Sequence, residues 1–344
     1  MKTNAIPLSH LRSPSRPSVA ARLPDFITLM KPRVMVLAVF TALVGLMAAP
    51  VRLDPLPGFI AILAIAAGAG AAGVLNMWYD ADIDAVMART ARRPIPRGAV
   101  SSAEALVFGV VLAVSAVAVL ALALNVLAAA LLTCAVVFYV VVYTIWLKRS
   151  TPNNIVIGGA AGALPPVIGW AAASGEIAFE PLVLFLVIFL WTPPHFWSLA
   201  LNRTDDYARA GVPMLPVVAG HAATKRQILI YSGLLTFASE LPWILGFAGA
   251  IYGAIVATCA AVFLLLAVQL SRSTGAGRRT AHKLFLFSIV YLFVLFSALL
   301  IDHEGGSLSS MRSSYDGRAI GSAHTELRPS AVRSAFCTLN VSEA

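Results

Sequence analysis

The 344-residue chain is 59% hydrophobic and only 12% charged, with 25 Lys and Arg against 16 Asp and Glu. Soluble domains carry about 25% charged residues, so this is an integral membrane protein, and no nucleic-acid partner is expected from its net charge of +9. Cys134, Cys259 and Cys337 are far apart and in no ligand spacing, which leaves neither a disulfide framework nor a cysteine metal site.

Residues 1–24 are rich in Ser, Pro and Arg, with no acidic residue before Asp25 and no apolar h-region. They read as a disordered cytoplasmic tail rather than a secretory signal. An Arg- and Ser-rich start also fits a mitochondrial presequence, though weakly. Nine apolar segments follow, near 33–49, 58–79, 103–123, 125–146, 154–173, 180–200, 227–248, 251–270 and 283–301. Each approaches the ~20 residues that cross hydrocarbon. The expected fold is all-α, one polytopic bundle of about nine transmembrane helices over residues 25–303. Residues 304–344, rich in Ser, read as a second disordered tail.

Charge sets the expected orientation. With the N-terminus inside, most of the Lys and Arg fall in inside segments. The outside loops carry Arg52 alone, and the outside C-terminal tail carries Arg312, Arg318, Arg328 and Arg333. That asymmetry is the positive-inside pattern. The two long inside loops, after the second and sixth segments, hold much of the acidic, basic and Pro/Gly content, so the chemistry is expected at the cytoplasmic side.

The first of these loops follows Asn76-Met77-Trp78-Tyr79-Asp80-Ala81-Asp82-Ile83-Asp84. Residues four apart share a helix face, so Asn76, Asp80 and Asp84 line up while Asp82 points away. Carboxylates on one face repel unless a cation sits between them, and a hard divalent ion with phosphate oxygens suits that place. A helix end reaching water is the plainer reading. The run from Arg89 to Arg97 follows, with Arg92, Arg93 and two prolines. Four arginines are the positive-inside signal, and their forks also match phosphate.

Lys148 and Arg149 end the fourth segment, where they cap a helix or reach a phosphate. Lys31 and Arg33 around Pro32 open the first segment with the same ambiguity. His195 lies inside a span beside Pro193 and Pro194, a functional candidate or a partner for a carbonyl the prolines free. His221 follows Gly220 in a loop. The second long loop contains Asn202, Asp205 and Asp206, with Asn202 and Asp206 four apart.

The Asn76-x-x-x-Asp80-x-x-x-Asp84 pattern, the second polar loop and nine spans together resemble the UbiA superfamily of intramembrane prenyltransferases. Asn76 to Gly98, Tyr143 to Trp170, Trp191 to Leu201 and Asp206 to Val218 resemble its protohaem IX farnesyltransferase branch. The resemblance covers about residues 24–303. It implies transfer of farnesyl from farnesyl diphosphate to a vinyl group of protohaem IX (haem B, a substrate), with water adding to give haem O. It further implies Mg²⁺ on Asp80, Asp84 and Asp206, with Asn76 beside them. Lys31, Arg93, Lys148 and Arg149 would hold diphosphate, and His195 and His221 are candidate haem ligands. A downstream haem A synthase is an implied partner. The lack of a convincing presequence favours a bacterial inner membrane over the mitochondrial one, with the N-terminus and active-site loops cytoplasmic and the C-terminus outside. One departure is Asn202, which stands where the superfamily commonly has the first aspartate of its second motif. Prenylation of a quinone or chlorin precursor is the nearest alternative. A transporter is the rival class, against which the near absence of charge within the spans argues.

Overall fold

The computed structural model describes the backbone of residues 19–325 and the side chains of residues 22–302. Residues 1–18 and 326–344, parts of the two expected tails, lie outside the described residues. Where the tails are described they are helical: α1 covers Val19–Leu29, and the last helix runs on to Thr325. The α1 segment is held by its apolar face, with Leu29 buried against Val74 and Met77 and Phe26 edge-on to Phe108 at 5.1 Å.

After α1 come α2 (Pro32–Ala48), α3 (Pro55–Tyr79), α4 (Ala81–Val86), α5 (Ser102–Ala123) and α6 (Val126–Val137). A π-helix, Phe138–Leu147, continues α6 into the single turn α7 (Lys148–Ser150). Next are α8 (Asn154–Ala163), α9 (Pro165–Ser174), α10 (Phe179–Leu201), α11 (Thr204–Arg209) and α12 (Leu215–Val218). The chain closes with α13 (Gly220–Ile244), α14 (Ala250–Arg272) and α15 (Arg278–Thr325). No strand occurs among the described residues. By contacts the chain divides at Asp302, and the described part of the second unit is the continuation of α15.

All nine expected spans are helical. Among the described residues seven helical runs, two of them Val126–Ser150 and Asn154–Ser174, are long and apolar enough to cross a membrane, and α1 from Arg22 with α2 makes an eighth as a pair bent by 51°. The ninth, α13, has the length but carries Lys225, Arg226 and Glu240 among Ser and Thr residues, which lowers its apolarity below that of the others. The tight hairpin between α5 and α6 has a local cause. Asn125 caps α6 by accepting from the Ala128 N–H at 2.9 Å, and its amide donates to the Ala171 carbonyl of α9.

Within lipid there is no hydrophobic gain in bringing helices together, so close backbone packing does that work. It is most intimate between α2 and α9. A Cβ on Gly45 would stand 2.1 Å from the Pro166 carbonyl oxygen, and one on Gly169 2.0 Å from that of Ala42. Only glycine fits either position. Gly45→Ala should therefore destabilise the bundle by about 1–3 kcal/mol through overpacking. Gly58→Ala, whose nearest neighbour would be a Leu46 methyl at 3.9 Å, should not. Thermal unfolding of the two variants in one detergent checks this; equal midpoints would contradict it.

Candidate active site

The α3 helix ends at Tyr79, but its ladder continues through the joint into α4. The Asp80 N–H bonds the Asn76 carbonyl at 3.0 Å and the Asp84 N–H bonds that of Asp80 at 2.8 Å. The expected shared face of Asn76, Asp80 and Asp84 therefore survives. All three are buried, Asp80 completely, so this is not a helix end reaching water. Asp82 does face outward. Two Arg149 hydrogen bonds of 2.8 Å hold its carboxyl below the usual carboxylate range.

Buried carboxylates must be paired, and each is. Lys148 Nζ donates to Asp80 Oδ2, which also accepts from Asn76 Nδ2 at 2.8 Å. Asp80 Oδ1 is buried with no hydrogen-bond donor, the Arg149 guanidinium standing 3.7 Å away. Arg93 Nη1 lies 2.6 Å from Asp84 Oδ2. Lys31 Nζ donates to Asn76 Oδ1 and is within electrostatic reach of Asp80, Asp84, Arg93 and Lys148. Lys31 has φ 57° and ψ 53°, left-handed values that L side chains disfavour. They turn the chain between α1 and α2 and bring the ammonium to Asn76.

The second loop arrives beside the first. Arg89 donates to the Tyr207 hydroxyl at 3.3 Å, with its guanidinium 5.8 Å from that ring. Ile83 and Met87 share a core cluster with Tyr207, Val212 and Met214. Among the described residues no three His, Cys, Asp or Glu side chains are placed to share an ion. Asp206 is buried but pairs with Arg209 and, at 3.9 Å, Arg203. Asn202 Nδ2 bonds the Ser198 carbonyl at 3.3 Å instead of extending an acidic face.

Sequence reasoning passed over the π-helix. Its wider turn lets Thr144 Oγ1 donate to the Tyr139 carbonyl at 2.8 Å while accepting from Asn76 Nδ2 at 3.0 Å. Its Tyr139 and Tyr143 rings lie 5.2 Å apart. A Cβ on Gly158 would meet the Tyr143 ring at 2.2 Å, so that glycine makes room for it. The available signal was two tyrosines four apart, with a threonine, inside an apolar span.

Two cavities adjoin this site. One, of about 160 Å³, starts at Met30 and Lys31 and runs between apolar residues that include Ile65, Leu132 and Ile168. The other, of about 300 Å³, is lined by Arg33, Tyr143, Trp191, His195 and Phe196 among others. They share a wall of Val34, Ala38, Tyr139 and Gly162. His195 does not bond a carbonyl freed by the prolines. Its Nδ1 pairs with Ser288 Oγ at 2.7 Å, and its ring stacks on Trp191 at 4.2 Å and Phe285 at 4.8 Å. His221 is elsewhere, 3.4 Å from Thr204 Oγ1 in a crevice with Lys225 and Arg226.

Buried acid and base at one end of an all-helical membrane bundle, opening on an apolar cavity, define a membrane prenyltransferase. The chain belongs to the UbiA prenyltransferase family, whose model matches residues 38–296. It is similar to a protoheme IX farnesyltransferase of Afipia carboxidovorans, 57% identical over 85% of this chain and 94% of that one. A protoheme IX farnesyltransferase of Azorhizobium caulinodans is 60% identical over 81% of this chain and 91% of its own. Among solved structures, a digeranylgeranylglyceryl phosphate synthase shares the fold at TM-score 0.69 and 20% identity, covering 82% of this chain and 99% of its own. A UbiA homologue of Archaeoglobus fulgidus bound to GPP and Mg²⁺ matches at TM-score 0.63 and 15% identity, covering 80% and 99%.

Asn76 holds this site's centre, and Thr144 holds Asn76. Thr144→Val keeps the shape but strips the acceptor from a buried amide, a loss of about 1–3 kcal/mol. The variant should unfold at lower temperature and turn over more slowly, while Thr144→Ser should restore both. An unchanged Thr144→Val enzyme would show the clamp is idle.

Proposed function

We propose that the chain transfers a farnesyl group from farnesyl diphosphate to a vinyl group of protohaem IX, with addition of water, giving haem O and diphosphate. The observation that carries this is two largely apolar cavities with one wall between them, the smaller reaching the buried charge cluster at Lys31. The names of the similar bacterial proteins support porphyrin as acceptor.

The residues fit a divalent cation. Mg²⁺ is commonly held by one or two carboxylates with substrate phosphates completing its shell, so a pair of aspartates suffices. Asp80 and Asp84 supply hard oxygens, and the buried Asp80 Oδ1 lacks a hydrogen-bond donor. Asp206, paired with its own arginines, is left out of this set. Bound there, the cation would neutralise the diphosphate and stabilise it as leaving group.

The chain's own groups do the rest. Lys31, Arg93, Lys148 and Arg149, which pair with Asn76 and the aspartates, are placed to share their N–H groups with phosphate oxygens. The smaller cavity takes the isoprenoid and keeps bulk water from the allylic carbon as its C–O bond to diphosphate breaks. A new C–C bond to the vinyl terminus leaves positive charge beside the porphyrin. Water adds at the inner vinyl carbon, the one attached to the ring, and loses a proton. The Tyr139 and Tyr143 rings border the reacting groups and offer π faces to the passing charge. His195, oriented by Ser288 and flanked by Trp191 and Phe285, is the residue placed to ligate haem iron. Active-site loops on the cytoplasmic side of a bacterial inner membrane, with a haem A synthase consuming the product, complete the proposal.

Membranes carrying the chain should form haem O, identified by mass, from farnesyl diphosphate and protohaem with Mg²⁺. Asp80→Ala and Asp84→Ala should each lower the rate about 100-fold or more, and exposed Asp205→Ala should not. Unchanged turnover in both site variants at saturating Mg²⁺ would remove the metal role. A different prenylated product would replace the acceptor.

A further inference from the structure

Lys31 and Arg33 are two residues apart on the same chain segment, yet they serve different cavities. Lys31 lines the smaller cavity and bonds Asn76. Arg33 lines the larger one, with His195 and Trp191. The left-handed turn at Lys31 and the 51° bend across it produce this split. Most cations around the charge cluster already have a protein partner. Arg33 differs: among the described residues its guanidinium makes no hydrogen bond or ion pair.

Arg33 sits in the first turn of α2, at the exposed rim where Val34 is 70% exposed and Ile289 39%. His195 lies six residues before the end of α10, about 9 Å along a helix. Among the described residues Arg33 is the one Lys, Arg, Asp or Glu lining this cavity, and an arginine at its open edge is a receptor for a carboxylate. Protohaem carries its two propionates on one edge and its two vinyl groups on the opposite edge. A propionate held at the rim turns the vinyl edge inward, toward the wall of Tyr139 and Gly162 that the donor cavity shares.

We propose that the Lys31-Pro32-Arg33 elbow sorts the two anionic substrates, Lys31 facing the diphosphate and Arg33 holding a propionate of the porphyrin. Arg33 is then a positioning residue that selects which edge of the acceptor meets the prenyl group. This rests on the porphyrin reading given above.

The test uses full-length enzyme in detergent with farnesyl diphosphate and either protohaem IX or its dimethyl ester. Wild type should prefer the free acid by about ten-fold in kcat/KM, the scale of one charge-assisted hydrogen bond. Arg33→Gln should raise the protohaem KM about ten-fold and abolish the preference for acid over ester. The KM for farnesyl diphosphate should stay within about two-fold, which also reports an intact fold. Arg33→Lys should recover part of the preference. An Arg33→Gln enzyme that still discriminates acid from ester, a wild type that never did, or parallel damage to both KM values would each overturn the assignment. A wild type that makes no haem O would sink the acceptor reading itself, and the propionate role with it.

Discussion

Asp80 is a carboxylate with no exposed surface, at the end of a helix that crosses a membrane. Removing one partner from such a buried pair costs about 3–5 kcal/mol, so its surroundings are constrained before any ligand arrives. Lys148 and Arg149 come from the turn after the π-helix, Asn76 from one turn earlier on α3, and Lys31 from the elbow before α2. Arg93 reaches Asp84 from the first loop. One buried acidic face thus draws in α2, α3, the π-helix and a loop. The side chains that satisfy it are the ones proposed to hold the diphosphate.

The same arrangement separates the two jobs of a prenyltransferase. Charge is concentrated at one end, where a leaving group must be stabilised. The space beyond is apolar and divided by a thin wall of Val34, Ala38, Tyr139 and Gly162. A reactive allylic cation needs both features: strong local fields where the bond breaks and no bulk water where it travels. Gly158, which admits the Tyr143 ring, lines the larger cavity without adding a polar group to it.

Much of this was legible in the residues. Span positions follow from apolar run length, and the i, i+4 arithmetic placed Asn76, Asp80 and Asp84 together with Asp82 opposite. Lys148 and Arg149 were singled out because a basic pair ends an apolar run. What could not be read were long-range choices. The partner of His195 is Ser288, 93 positions away, so a freed carbonyl was the natural guess. The pairing of Asp206 with Arg209 and Arg203 is likewise not marked in its loop's sequence. The left-handed Lys31 is invisible because nothing but tertiary contact repays that conformation. The π-helix leaves only a polar trace, Tyr139, Tyr143 and Thr144 within an apolar run, because one extra residue per turn does not interrupt that run.

In this proposal the buried aspartates and their cations form a ready cradle for a metal diphosphate. Calorimetric titration of the purified enzyme with a non-reactive farnesyl thiodiphosphate, with and without Mg²⁺, tests it most directly. The account predicts tight binding with Mg²⁺, much weaker binding after chelation, and no Mg²⁺ dependence once Asp80 and Asp84 are both changed to Asn. Equal affinity with and without the ion in the unaltered enzyme would contradict it.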